Sequence, residues 1–396
     1  GDCAILYRTN AQSRMFEEKF LYANVPYKIV GGVNFYSRKE IKDVIAYLKT
    51  IANGKDDLAV RRIINVPKRG IGATTISRVQ DYAAEHGASF YDALRVAETI
   101  PGIGKSVAKL QAFVQMIQVL RTKQEFYKVK SLIEDILEQT GYMKELQAEG
   151  TDEALDRMAN VDELLNKAAL YDEKTENPTL DGFLEEVALV ADIDNLEEDA
   201  DHVVMMTLHS AKGLEFPVVF MVGMEDGVFP SYISISSEDE SELEEERRLC
   251  YVGITRARTN LFLTSAKQRM VRGEIHYNRV SRFVDDIPEE FMAENERAKI
   301  PQKEKKDLPE TKAHAAYRQM RENFKTKIMA QQQFEVKKAD GLSYNVGDRV
   351  RHIKFGNGTV TNIAEGGRDY EVTVNFDRVG VKKMFASFAK LVKTEN

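Results

Sequence analysis

Four short stretches of this 396-residue chain hold side chains whose types and spacing suit the recognition of anionic oxygens. In Thr207-Leu208-His209-Ser210-Ala211-Lys212-Gly213-Leu214-Glu215-Phe216, His209, Ser210 and the backbone after Thr207 offer donors that hold a phosphate without reading what is attached to it. Lys68-Arg69-Gly70-Ile71-Gly72-Ala73-Thr74 and Pro101-Gly102-Ile103-Gly104-Lys105-Ser106 each set a Gly-Ile-Gly turn directly before a helical pattern. Glycine lets a backbone approach a ligand closely, the free amides of a helix start favour an anion, and Lys68, Arg69 and Lys105 add charge. The fourth stretch, Glu244 to Ala257, ends an acidic helix with Thr255-Arg256. A guanidinium there serves either a phosphate or a salt bridge to the run Glu244-Glu245-Glu246. The acidic run itself reads as a solvated helix start, where carboxylates complement the helix dipole.

These stretches need a frame. Val203 to Met206, Val218 to Val222 and Leu261 to Leu263 are apolar runs that alternate with helical patterns, the signature of a parallel sheet buried on both faces. Cys3 to Tyr7 and Tyr27 to Val30 add two strands around a helix at Gln12 to Ala23, which makes five. In such sheets ligands sit off the carboxyl ends of the strands, and both the turn after Met206 and the Thr255-Arg256 pair are expected there. Ser37-Arg38-Lys39-Glu40 reads as a capping box opening the next helix. Helical spacing then repeats through Ile41-Val44-Ile45-Leu48, Ile76-Val79-Tyr82-Ala83, Leu110-Phe113-Met116-Ile117-Leu120 and Leu132-Ile133-Ile136-Leu137, so an all-helical insertion interrupts the sheet. From Glu294 to Asp340 the pattern dissolves into a flexible basic linker with one helix near Ala315 to Met329. After it the period becomes two, with short strands at Arg349 to Ile353, Thr359 to Ile363, Tyr370 to Phe376, Val381 to Phe385 and Lys390 to Val392: a small SH3-like or Tudor-like barrel.

Composition excludes several classes. The hydrophobic fraction of 43% is that of an ordinary globular protein, and no apolar run approaches the roughly 20 residues of a membrane span. Cys3 and Cys250 are the only cysteines, which argues against a disulfide framework and for a cytoplasmic setting. The six histidines lack ligand spacing, so no metal site is expected. A net charge of -7 does not advertise a nucleic-acid binder, although a groove needs only a local positive stripe. A phosphate-binding P-loop is missing: Gly104-Lys105-Ser106 lacks a glycine five residues earlier, where Thr99 stands. Nor does an apolar strand end in an Asp-Glu pair. With a strand entered at Cys3, the sequence reads as a piece of a longer protein.

Thr207 to Phe216 and Glu244 to Ala257 resemble the fifth and sixth signature motifs of superfamily 1 DNA helicases of the UvrD/PcrA type, and Tyr7-Arg8-Thr9-Asn10-Ala11-Gln12-Ser13-Arg14 resembles a further motif of that family. The resemblance runs from Ala4 almost to the C-terminus. It implies that residues 1–44 and 201–290 form the second RecA-like domain, 45–200 an inserted helical subdomain, 291–342 the linker and 343–396 the barrel. It also implies the C-terminal part of an ATP-dependent 3′-to-5′ helicase of DNA repair or replication, with the phosphate loop and the Mg²⁺ ligands in a preceding half. Arg8, Asn10, Thr207, His209 and Ser210 would then meet single-stranded DNA. Arg256 would be the arginine finger on the γ-phosphate of ATP, with Glu215 beside the nucleotide and Lys212 organising that turn; Arg248 would brace the finger or pair with a carboxylate. The two Gly-Ile-Gly turns, with Lys68, Arg69, Gly70, Gly72, Gly102, Gly104 and Lys105, look like the family's duplex-gripping turns. Arg272 departs from the pattern, since relatives often carry an aromatic residue near that position to stack on a base. The barrel, with Val346-Gly347-Asp348-Arg349-Val350, resembles a module linked with RNA polymerase. A competing expectation is a noncatalytic DNA- or polymerase-binding adaptor that kept the fold; a helicase-nuclease subunit is disfavoured because no cluster of nuclease carboxylates appears near the C-terminus.

Overall fold

Strand β1 (Cys3–Tyr7) lies at the centre of a five-stranded parallel sheet in the order β2-β3-β1-β4-β5, with β2 at Tyr27–Ile29, β3 at Val203–Thr207, β4 at Phe216–Val222 and β5 at Ala257–Thr264. The computed structural model describes residues 2–193, 201–292, 342–352, 355–365, 370–389 and 391–394. The register sets Ala4 against Val204 on one side and Val219 on the other, so segments some 200 positions apart share one hydrogen-bonded ladder. Alternate side chains feed two cores. Ala4, Leu6, Met206, Val219 and Met221 pack with Cys250 on one face, while Ile5, Tyr7, Met205 and Val222 pack with Phe16 and Phe20 on the other. All five expected strands are present. The last is longer than Leu261 to Leu263 because its polar residues Arg258, Thr259 and Asn260 are exposed at the sheet's edge, where no apolar run marks the strand.

Helix α1 (Ser13–Ala23) links β1 to β2, and α2 (Lys39–Ala52) opens the helical stretch. It continues through α3 (Asp57–Ile63), α4 (Ala73–Glu85), α5 (Phe90–Arg95), α6 (Val107–Lys123), α7 (Val129–Thr140), α8 (Tyr142–Glu149), α9 (Asp152–Lys174) and α10 (Leu180–Ile193). The described residues divide into two compact units, one of 2–42, 146–174 and the described part of 183–292, the other of 43–145, 175–182 and the described part of 342–394. Helix α9, read from sequence as part of the 45–200 insertion, therefore belongs with the sheet. A buried ionic network explains why. Arg14, 1% exposed, binds Glu18 at 3.1 Å and Glu163 at 2.9 Å, and Lys167 binds Glu18 at 3.2 Å and Glu186 at 2.5 Å. Burial pushes the Glu18 carboxyl up, but Arg14 and Lys167 together hold it below its ordinary value. Arg38 adds a second tie, donating to Asn160 Oδ1 at 2.6 Å, the Asn10 carbonyl at 3.0 Å and Ser13 Oγ at 2.7 Å. Glu40, expected in a capping box with Ser37, instead accepts from Asn160 Nδ2 at 2.6 Å, since α2 begins at Lys39 and the buried Glu40 faces α9.

After β5 a hairpin, β6 (Arg269–Val271) and β7 (Glu274–His276), stands off the sheet, preceded in the chain by α11 (Tyr232–Ser236) and α12 (Glu240–Ile254). The C-terminal strands β8 (Arg349–His352), β9 (Gly356–Glu365), β10 (Tyr370–Phe376), β11 (Gly380–Phe385) and β12 (Val392–Lys393) form an antiparallel sheet over Val350, Val360, Val372, Val374 and Phe376. The basic linker at Glu294 to Asp340, with its helix near Ala315 to Met329, lies outside the described residues. Among the described residues no helix is long and apolar enough to cross a membrane. Because Arg14 is the buried counter-ion of two carboxylates, Arg14→Leu should destabilise the sheet unit by about 3–5 kcal/mol. Urea unfolding followed by circular dichroism measures it, and a shift under about 1 kcal/mol would assign the fixing of α9 to apolar packing instead.

Candidate functional site

The carboxyl ends of β1 and β3 lie side by side, Tyr7 level with Thr207, and bring Arg8, Asn10, Thr207, His209 and Ser210 to one edge of the sheet. Thr207 Oγ1 meets Ser210 Oγ at 3.0 Å and accepts the Ser210 N–H at 3.2 Å, a local turn that fixes both hydroxyls. The loop leaving β2 closes over them. Gly31 has φ +74°, and a Cβ there would stand 2.7 Å from Ser210 Oγ, so only glycine lets the loop come this near. Gly32 approaches Asn10 Oδ1, and Gln12 Oε1 takes the N–H groups of Arg8 at 2.9 Å and Thr9 at 3.0 Å. Sequence reasoning passed over Gly31 and Gly32, although a Gly-Gly pair directly after a strand was a signal, and it quoted Gln12 in a motif without giving it a role. Asn10 Nδ2 lies 3.5 Å from Asp156 Oδ2. Arg8 is held by Glu246 of α12, its Nε and Nη2 both reaching Oε1, at 2.8 and 2.6 Å. His209 is exposed, and its imidazole sits below its ordinary pKa, first through partial burial and then through the positive charge of Arg8.

Arg256 is elsewhere. It directly precedes β5, and its carbonyl accepts the Phe216 N–H at 2.9 Å at the amino end of β4. Phe216 pairs with Ala257 while Met221 is level with Leu6, so about six residues, or roughly 20 Å of strand, separate Arg256 from the Thr207 edge. The expectation that both groups lie off the carboxyl ends is corrected: the turn after β3 crosses back to the opposite edge and carries Glu215 there, with exposed Lys212 along the way. Arg256 donates to the Leu214 carbonyl at 2.8 Å, the Val252 carbonyl at 2.9 Å and Thr255 Oγ1 at 3.0 Å. All three acceptors are neutral. The carboxylates of the acidic run pair instead with Arg247, Arg248 and Arg8, at 3.1, 2.8 and 2.6 Å, so among the described residues Arg256 has no salt bridge. Glu215 pairs with Arg258 at 3.0 Å. Helix α12 spans both edges, from Glu246 beside Arg8 to Ile254 roughly 12 Å further on. It lies tight on the sheet because Gly253 has no side chain, where a Cβ would come within 2.5 Å of Leu208.

In the helical unit the two Gly-Ile-Gly turns are cross-linked. Lys109 Nζ donates to the Gly70 carbonyl at 2.8 Å, Arg78 donates to the Gly102 carbonyl, and Thr75 Oγ1 meets Ser106 Oγ at 3.2 Å. Each turn's carbonyl thus takes a cation from the helix that follows the other turn, which neither Arg78 nor Lys109 betrayed in sequence. Lys68 and Lys105 are exposed. Gly72 has φ -82°, and a Cβ there would meet nothing within 4 Å, so nothing inside the chain demands glycine at the start of α4. Arg69, expected to add charge for a ligand, is engaged within the chain. Its Nη1 reaches the carbonyls of Ile63 at 2.8 Å and Val66 at 3.2 Å, and its guanidinium lies over Phe113 and Tyr47, because the last carbonyls of α3 need donors. Arg272 is tied to Asp162 at 3.0 Å. Among the described residues no cluster of three or more His, Cys, Asp or Glu side chains could hold a metal ion.

A family model described as the UvrD-like helicase C-terminal domain matches residues 1–268, and one described as the PcrA/UvrD tudor domain matches residues 346–393. The chain is 44% identical over 400 residues to the ATP-dependent DNA helicase PcrA of Bacillus subtilis, across 99% of this chain and 52% of that protein. It is 42% identical over 398 residues to the protein of that name in Staphylococcus aureus strain Mu50 and 40% identical over 399 residues to that of Staphylococcus epidermidis, each across 100% of this chain and 52% of the relative. The chain spans about half the length of the curated relatives it matches.

The charge arrangement at the carboxyl edge is measurable. His209 should titrate by NMR below the ordinary histidine value of about 6.5, and Arg8→Ala should raise its midpoint, because that change removes a repelling charge and leaves Glu246 unpaired nearby. An unmoved midpoint would separate His209 from Arg8.

Proposed function

The chain belongs to the UvrD-like helicase family, and from that premise we propose that it forms the C-terminal half of an ATP-dependent DNA helicase. The sheet unit is then the second of two RecA-like domains, with ATP hydrolysed between them to drive 3′-to-5′ movement along single-stranded DNA. One observation carries this reading: α12 runs between the two edges, pairing with Arg8 at the carboxyl edge and ending beside Arg256 at the other. A change at one edge can reach the other through that helix.

In this reading Arg8, Asn10, Thr207, His209 and Ser210 hold phosphates of the strand. Arg256 fits a triphosphate because its acceptors are neutral oxygens, which a phosphate outcompetes through charge-assisted bonds. Glu215 and Lys212 would lie beside the nucleotide, and ligands for Mg²⁺ would come from a preceding half. The paired turns of the helical unit would grip duplex DNA through the amides at Gly72 and Gly104 with Lys68 and Lys105, while Gly70 and Gly102 set the backbone. A polymerase contact through the C-terminal sheet rests on the resemblance alone.

The first test is DNA-stimulated ATPase of the full-length protein. Arg256→Ala should lower the rate by roughly 10³-fold with ATP binding retained, as for other arginine fingers. Unchanged turnover would make Arg256 a brace for the Leu214 loop. For the helical unit, Lys68→Glu with Lys105→Glu should weaken binding to a duplex junction and reduce the salt slope by about two, whereas Arg69→Ala should lower thermal stability. An unchanged salt slope would remove the turns from the DNA interface.

A further inference from the structure

Glu246 is a buried carboxylate with an unusual division of labour. It is 5% exposed, its Oε1 takes both Nε and Nη2 of Arg8, and its Oε2 has no hydrogen-bond partner. Its neighbours on α12 do not share this. Glu244 and Glu245 are exposed and pair within the helix with Arg247 and Arg248. Arg8 is thus the counter-ion on which Glu246 depends, and pulling it away would strand a charge in a desolvated site. An incoming anion therefore cannot displace Glu246 cheaply; it must share Arg8 with it.

Arg8 has the means to be shared. A guanidinium carries five N–H donors in a rigid plane, and Glu246 fixes only the Nε–Nη2 side. Nη1 makes no hydrogen bond among the described residues, and 26% of the side chain is exposed. The carboxylate thereby sets the plane of the guanidinium beside His209 and the Thr207–Ser210 turn. We propose that Glu246 is a positioning residue, which by clamping one side of Arg8 presents its remaining donors to a phosphate oxygen. This rests on the reading that Arg8 meets a phosphate, borne either by the DNA strand or by the nucleotide.

Charge and geometry predict opposite signs for Glu246→Gln. Removing a negative charge raises the local positive potential, which alone would tighten a phosphate ligand. Losing the clamp lets the guanidinium rotate, which weakens it. In the full-length protein, Glu246→Gln, Arg8→Ala and the double variant would be titrated with a fluorescent oligodeoxythymidylate and, separately, with a non-hydrolysable ATP analogue, beside thermal melts. Expected is that Glu246→Gln weakens the same ligand that Arg8→Ala weakens, by roughly two- to tenfold, the net worth of one hydrogen bond, and adds nothing in the Arg8→Ala background. The arm that responds identifies the phosphate. Tighter or unchanged binding in Glu246→Gln, or an equal loss in both backgrounds, would overturn the proposal while leaving Arg8 a ligand. If Arg8→Ala alters neither ligand, the reading of Arg8 falls and this proposal with it. Should Glu246→Gln melt too low to assay, Glu246→Asp, which keeps the charge and shortens the reach, is judged by the same outcomes.

Discussion

The position of β1 between β3 and β4 is the constraint on which the rest of the sheet unit depends. A parallel neighbour cannot be reached by a tight turn, so the chain must leave after β2 and return. Here it leaves for some 170 residues and returns at Val203. The cost of closing so long an excursion grows only slowly with its length, and the two-faced burial of Ile5, Leu6, Met205 and Met206 offsets it. The same parallel register fixes which ends of the strands are neighbours, and so which polar side chains can act together.

Arginines show how differently one side chain is used. Arg14 and Arg38 lie in the ionic ties between α1, α2 and α9, and Arg69 and Arg121 close carbonyls in the helical unit. Each has its donors committed within the chain. Arg8 is committed on one side only, and Arg256 to neutral oxygens only. Which acceptors each guanidinium meets is set by elements far apart in sequence.

Helix α12 deserves its place between the two edges for a packing reason. Glycine at 253 brings its last turn against Leu208 and Met221, so its ends cannot shift independently of β3 and β4. Close-packed interiors transmit displacement rather than absorbing it.

The sequence by itself determined the five strands, the helical stretch, the short C-terminal strands and the motifs of the family, because hydrophobic period and turn chemistry are local properties. It also named His209, Ser210, Lys68 and Lys105 as polar groups suited to a phosphate. Only the tertiary structure decided that Arg256 and Thr207 lie at opposite edges, since strand direction and register are not written in any one segment. Nor could spacing reveal that Arg69 turns inward to helix carbonyls or that Glu246 answers to Arg8, 238 positions away. Helix α9 went to the sheet rather than to the insertion for the same reason: its apolar period is that of any helix, and the buried charges that claim it come from α1 and from Arg38 just before α2. Partners of a buried charge are chosen by the folded chain, where desolvation makes an unpaired ion untenable.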